Sequence, residues 1–123
     1  MTLEWVRGVC LALPHAAESV KWGDNLVFTV DNKMFAVTGL EPDEIGLSFK
    51  CSPDVYAELI ERIGVRPAPY LARAQWVALE THDALKRTEL EELIEEAYRI
   101  VFAKLPKKRR EALGGAGGSD SIA

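Results

Sequence analysis

The chain has few histidines and cysteines, the side chains best suited to acid–base and nucleophilic catalysis near neutral pH. Its two histidines are His15 and His82, and its two cysteines are Cys10 and Cys51. Their positions match neither the serine or cysteine catalytic arrangements nor a zinc-binding spacing. The sequence also lacks the phosphate-binding motifs GxGxxG and GxxxxGKS. We therefore expect a protein that is not an enzyme and that holds no cofactor and no metal.

A run of carboxylates lies in a segment with helical periodicity between residues 88 and 105. Carboxylates three and four residues apart share a helix face and could offer oxygen ligands to a hard cation. The apolar positions Leu90, Leu93 and Ile94 lie on the other side, as they do in any amphipathic helix with a solvated face. A solvated face is the preferred interpretation of Glu89, Glu91, Glu92, Glu95 and Glu96.

Basic and aromatic residues occur close together in several other parts of the chain. Lysine and arginine neutralise phosphates, and flat aromatic rings stack on bases. The combination predicts a surface that binds double-stranded DNA. Its phosphate contacts would be Lys21, Lys33, Lys50, Arg73, Lys107, Lys108, Arg109 and Arg110, and its stacking residues would be Trp22, Tyr70 and Trp76.

Two other interpretations of these residues stay open. The tryptophans could be core residues, and the KKRR run could complement the negative end of the preceding helix. A different class of function is a protein-interaction or small-ligand module with an apolar pocket near Tyr70 and Trp76. A salt titration distinguishes a DNA-binding surface from a pocket module, because binding to phosphates weakens steeply with salt whereas binding in an apolar pocket hardly responds.

The overall charge does not by itself indicate a nucleic-acid partner. The formal net charge is −4, and residues 83–98 carry six acids against two bases, so the remainder of the chain is balanced. This polarised distribution is compatible with a local basic surface. The N-terminal sequence has neither the layout of a signal peptide nor a membrane span, which predicts a cytoplasmic protein without a membrane partner.

Hydrophobic periodicity predicts one domain over residues 1–113 and a flexible glycine-rich tail over 114–123. Thr2 precedes a first helical pattern, and the segments LVFTV and MFAVT flank Asp31, Asn32 and Lys33 as in a β-hairpin. Alternation from Ile45 to Cys51 predicts a strand on which Lys50 points to solvent.

Two further helices follow from capping signals. Ser52 and Pro53 begin a helix whose buried stripe extends to Ile63, and Thr88 with Glu91 forms a capping box for the longest helix. Together these elements predict an α+β two-layer sandwich in which an antiparallel sheet packs against helices. The predicted core is Leu26, Phe28, Val30, Ile45, Leu47, Phe49, Leu59, Leu93, Ala97 and Val101.

Several fragments resemble a known family. They are VRGVCLALPHAAE, the WG at Trp22 and Gly23, KMFAV, LSFKC, PAPYLARAQWVAL and AYRIVFAKLPKKRREAL. Over residues 3–113 the chain resembles the MmcQ/YjbR family of small bacterial proteins. The resemblance implies a fold similar to that of the bacterial frataxin homologue CyaY. It also implies a role in DNA binding through an exposed sheet face and its wing-like hairpins.

Overall fold

A six-stranded antiparallel sheet forms one layer of the protein and helices form the other. The computed structural model describes residues 2–40, 46–69, 71–80 and 83–114. Along the chain the elements are α1 (Leu3–Leu11), β1 (Ala16–Lys21), β2 (Asn25–Val30), β3 (Lys33–Gly39), β4 (Leu47–Lys50), α2 (Pro53–Leu59), β5 (Val65–Pro67), a 3-10 helix (Ala72–Ala74), β6 (Trp76–Leu79), α3 (Arg87–Ala103) and α4 (Lys107–Ala112). The strand order is β1-β2-β3-β4-β6-β5, which confirms the predicted α+β sandwich.

Capping side chains begin the first two helices as predicted. The Thr2 side chain accepts a hydrogen bond from Trp5 N at 3.2 Å, and Ser52 accepts one from Val55 N at 3.3 Å. The predicted capping box of the long helix is wrong. That helix already begins at Arg87, with Lys86 at the N-cap and no side-chain cap, so Thr88 lies inside its first turn.

The hairpin of β2 and β3 turns at two of the three predicted residues, and the third, Lys33, is the first residue of β3. Asp31 and Asn32 have φ angles of 49° and 66°, a left-handed conformation that these two residue types tolerate and that matches the twist of a tight hairpin. The sequence patterns did not reveal β1 and β5. β1 is mostly exposed and has little hydrophobic alternation, and β5 has only three residues.

The main core lies between the sheet and the helices. Of the predicted core residues, Leu26, Phe28, Val30, Leu47, Phe49, Leu59 and Ala97 are buried, and Leu93 and Val101 are half-buried against the same cluster. Ile45 lies outside the described residues. The predicted stripe of α2 is wrong at its end, because the helix stops at Leu59 and Ile63 is 97% exposed.

Helix α1 is fastened to the edge strand by an ion pair. Arg7 Nη2 lies 2.6 Å from Glu18 Oε2, and Arg7 Nε donates to the other carboxylate oxygen at 2.9 Å. The arginine holds the pKa of Glu18 below its usual value.

In the described part of the chain, no helix is long and apolar enough to cross a bilayer. Of the predicted tail, 114–123, only Gly114 lies in the described ranges.

Candidate functional site

The tip of the β2–β3 hairpin and helix α4 are joined by a bidentate ion pair. Arg109 Nη2 lies 2.7 Å from Asp31 Oδ1, and Arg109 Nε lies 3.1 Å from Asp31 Oδ2. The guanidinium and then the charge of Lys33 hold the pKa of Asp31 below its usual value. At the other end of α4, the His15 ring nitrogen Nε2 lies 2.8 Å from the Leu113 carbonyl oxygen. Helix α4 is therefore held on the same end of the sheet as the hairpin tip.

Three exposed lysines next to this junction form no ion pair with any carboxylate that the structure describes. Arg109 is the cation that neutralises Asp31, whereas Lys33, Lys107 and Lys108 form no ion pair within the described ranges. The guanidinium of Arg110 is directed back into the fold, since its Nε donates to the Leu105 carbonyl at 3.1 Å. The hairpin tip and α4 thus present free positive charge to solvent.

Lys50 is at the same end of the sheet, but its predicted exposure is wrong. Residue 50 follows Phe49, which faces the main core, so the Lys50 side chain lies on the opposite side of the sheet as expected. That side is not open here. Lys50 is only 8% exposed, and its Nζ donates a hydrogen bond to the Ala74 carbonyl in the segment that precedes β6.

Burial lowers the pKa of Lys50, and the charge of Lys104 lowers it further. Lys104 is the C-cap of α3 and was not among the predicted site residues. A lysine that follows a long amphipathic segment is the only sequence signal for it, and that signal equally fits a helix cap. Two ammonium groups from different elements therefore lie near each other.

Strand register shows that these cations share one end of the molecule. The pairing of Ala36 with Phe49 aligns the start of β3, next to Lys33, with the end of β4. Met34 packs against the small cluster of Ala68, Trp76 and Ala78, which places the neighbouring 3-10 helix and its exposed Arg73 at that end too. We call this surface the basic end, and it consists of Lys33, Lys50, Arg73, Lys104, Lys107, Lys108, Arg109 and Arg110.

Lys21 and Trp22 are not part of the basic end. Lys21 pairs with Asn25 at the start of β2, and the hairpin tip follows the end of the same strand. A six-residue strand is about 20 Å long, so the two groups are separated by roughly that distance. Trp22 is 64% exposed and has a φ of 52° in the β1–β2 turn. The structure therefore divides the predicted basic and aromatic set between two ends of the sheet.

The predicted stacking role of Trp76 conflicts with its burial. Trp76 is 5% exposed because Ala68 and Leu71 of the preceding segment pack over it together with Ala78. The same burial removes it from the wall of an open apolar pocket. The alternative interpretation of Trp76 as a core residue is thus the correct one. Tyr70 lies outside the described residues.

The carboxylates of α3 form a shallow acidic groove on the helix surface, lined by Glu89, Glu92, Leu93, Glu95, Glu96 and Arg99. Glu89 is neutralised by Arg62, whose Nη1 lies 2.6 Å from Glu89 Oε2, and this pair lowers the pKa of the carboxyl. Within the described ranges, no group of three or more His, Cys, Asp or Glu side chains is placed to hold a metal ion.

The two thiols are poor nucleophiles in this fold. Cys10 is fully buried and Cys51 is 2% exposed. Burial, aided by the charges of Glu18 and Glu96 respectively, raises the pKa of each thiol to about 12. Both cysteines are therefore protonated at neutral pH, and their reactive thiolate form is scarce.

The antiparallel sheet, the helical layer and the polarised surface define an α+β domain with one basic end. The YjbR family model matches residues 11–100, and the chain belongs to the YjbR family. It is similar to the crystal structure of the Deinococcus radiodurans protein DR2400, which contains the family domain DUF419. The two are 30% identical with a TM-score of 0.83, over 92% of this chain and 88% of that one.

A second solved structure, a Pseudomonas syringae protein that was a structural genomics target, shares the fold. It is 20% identical with a TM-score of 0.65, over 81% of this chain and 98% of that one. No curated protein matches the chain. The family resemblance seen in the sequence is thus confirmed, and the similarity to CyaY stays a prediction.

Proposed function

We propose that this protein binds the phosphate backbone of double-stranded DNA through the basic end, without catalysing a reaction. The observation that supports the proposal is the placement of exposed cations. Lys33, Arg73, Lys107 and Lys108 come from three separate elements and lie at one end without carboxylate partners in the described part of the chain. A net charge of −4 makes that local concentration of positive charge unexpected from composition alone.

The geometry favours binding by charge over recognition of base sequence. Helix α4 has only six residues, and the exposed Trp22 lies at the other end of the sheet, so neither supports an element that reads base edges. Contacts to phosphate position a protein on DNA but carry no sequence information. We therefore expect weak, sequence-independent affinity, with Kd in the range of about 10⁻⁴ to 10⁻⁶ M at physiological salt.

The number of exposed cations sets the expected salt dependence. Each neutralised phosphate contributes about −0.9 to the slope of log K against log salt. Four contacts give a slope of about −3.6, so affinity should fall about a hundredfold between 50 and 200 mM salt. Fluorescence anisotropy of a labelled 20-base-pair duplex measures this directly.

A pair of charge-matched double variants tests the location of the surface. Lys33→Glu with Lys107→Glu reverses two charges at the basic end, whereas Lys21→Glu with Lys86→Glu reverses two exposed charges elsewhere. Both variants have the same net charge. The first should lose tenfold to a hundredfold in affinity at low salt and about two units of salt slope. Equal losses in the two variants, or binding by the wild type that does not respond to salt, would refute the proposal.

A further inference from the structure

Lys50 has an incompletely satisfied ammonium group in a buried position. It is 8% exposed, and its Nζ donates one hydrogen bond, to the Ala74 carbonyl. An ammonium carries three N–H donors, and in the described part of the chain the Ala74 carbonyl is the one oxygen that accepts from it. Of the residues that the structure describes, no carboxylate forms an ion pair with Lys50. Buried charges are normally paired, because an unpaired one has a large desolvation cost.

A second ammonium group makes the arrangement less favourable. Lys104, exposed at the C-cap of α3, repels the Lys50 ammonium, and that repulsion adds to the effect of burial on its pKa. Glu96 acts on the neighbouring Cys51 but is not among the groups that shift the pKa of Lys50. A ligand with two negative charges would relieve the repulsion between the lysines and accept hydrogen bonds from both ammonium groups.

We propose that Lys50 and Lys104 form a binding site for a phosphomonoester dianion. This inference rests on the proposed function, because both lysines belong to the basic end, the surface that we propose binds DNA. A phosphomonoester carries close to two negative charges at neutral pH and has three acceptor oxygens. A backbone phosphodiester has one charge and a sugar on each side, so it reaches a buried ammonium less well. The site therefore favours a terminal phosphate over the interior of a strand.

Two sources could supply this chemistry, and the experiment separates them. One is the 5′-phosphate at the end of a DNA strand, and the other is a free phosphorylated small molecule. The probes are inorganic phosphate and two duplexes of identical sequence, one 5′-phosphorylated and the other with 5′-hydroxyl ends. All measurements use the full chain at pH 7.5 and constant ionic strength.

The first measurement is the melting temperature in 20 mM phosphate and in chloride of equal ionic strength. A ligand that binds only the folded state raises the melting temperature, by several degrees when it is well above its Kd. We expect this rise in the wild type and in the matched control Lys21→Met. We expect no rise in Lys50→Met or in Lys104→Met. Lys104 is exposed, so its variant should fold even if replacement of the buried Lys50 is disruptive.

The second measurement compares the two duplexes by anisotropy. The wild type should bind the 5′-phosphorylated duplex about tenfold more tightly, the size expected for one or two charge-assisted hydrogen bonds. Lys50→Met should remove this preference, so that the variant binds the 5′-phosphorylated and the 5′-hydroxyl duplex equally. Stabilisation by phosphate without a preference between duplexes would support the site and identify a small molecule as its ligand.

The two proposals fail in different ways. If the 5′-hydroxyl duplex does not bind but phosphate still stabilises the wild type through Lys50, the DNA proposal is wrong and the dianion site stands. If phosphate leaves the melting temperature unchanged and the duplexes bind equally, the dianion site is overturned. Lys50 would then have a purely structural role, in which its hydrogen bond to the Ala74 carbonyl links the end of β4 to the segment that precedes β6.

Discussion

The two buried cysteines predict a marked loss of stability in alkali. Their pKa values rise from 9.0 to about 12 in the folded protein. Because unfolding exposes the thiols, the unfolded state releases their protons at lower pH than the folded state does. Each thiol therefore contributes stability that is fully present below pH 9 and is lost progressively as the pH rises towards 12.

The size of the effect follows from the shift. One pKa unit corresponds to about 1.4 kcal/mol of free energy. At a pH roughly 1.5 units above the pKa of the thiol in the unfolded state, each thiol therefore lowers the free energy of unfolding by about 2 kcal/mol. Together the two amount to roughly 4 kcal/mol at about pH 10.5, a large part of the ~5–15 kcal/mol typical of a small domain.

Urea unfolding at pH 7.5 and 10.5 under reducing conditions measures this loss. The matched protein is Cys10→Ala with Cys51→Ala, in which Lys50 and Tyr98 still titrate, so their contributions largely cancel in the comparison. The variant should be less stable than the wild type at pH 7.5 because it loses core packing. Its free energy of unfolding should depend less on pH, by about 4 kcal/mol over this interval. An equal pH dependence in the two proteins would show that the thiols are not the cause, and each single variant should show half the effect.

Two further predictions concern packing and the hairpin. Ile63→Ser should change the free energy of unfolding by less than about 0.5 kcal/mol because Ile63 is 97% exposed, whereas Leu59→Ala, at a side chain 1% exposed, should cost about 2–5 kcal/mol in the same urea titration. A large loss from Ile63→Ser would contradict the described end of α2. Asp31→Asn should remove the bidentate ion pair with Arg109, so the variant should melt at a lower temperature than the wild type at pH 7. This difference in melting temperature should shrink as the pH falls below 3.8, because the wild-type carboxyl then also loses its charge. The same difference at every pH would exclude the ion pair as its origin.

The elements that could be predicted from the sequence are those fixed by local physical chemistry. Thr2 and Ser52 satisfy free N–H groups within three residues of themselves, and Asp31 and Asn32 tolerate the backbone of the turn they occupy. By contrast, the segment AAESVK has little intrinsic strand pattern. It is β1 because all six residues pair with β2, a tertiary interaction that no local signal encodes.

The candidate site was predictable only in part, for a related reason. Strand alternation correctly placed Lys50 on the side of the sheet away from the main core, but alternation cannot show what covers that side. The segment around Ala74 does so, 24 residues further along the chain. Similarly, Lys33 is near α4 because Arg109 binds Asp31 across 78 residues. The individual basic residues could be named from the sequence, but their grouping depends on the fold.

The separation of charge along α3 has a kinetic consequence. This 17-residue helix carries its five carboxylates within its first ten residues and is followed by Lys104, so the centre of the acidic stretch and the lysine lie roughly 17 Å apart along the helix. The molecule is thus an electric dipole. The electric field of a polyanion rotates such a dipole before the two molecules make contact. In the proposed binding to DNA, the field would orient the basic end towards an approaching duplex and keep the acidic groove away from it. Productive encounters should therefore be faster than a chain of net charge −4 would otherwise allow, and this advantage should disappear as salt shortens the Debye length to about 8–10 Å.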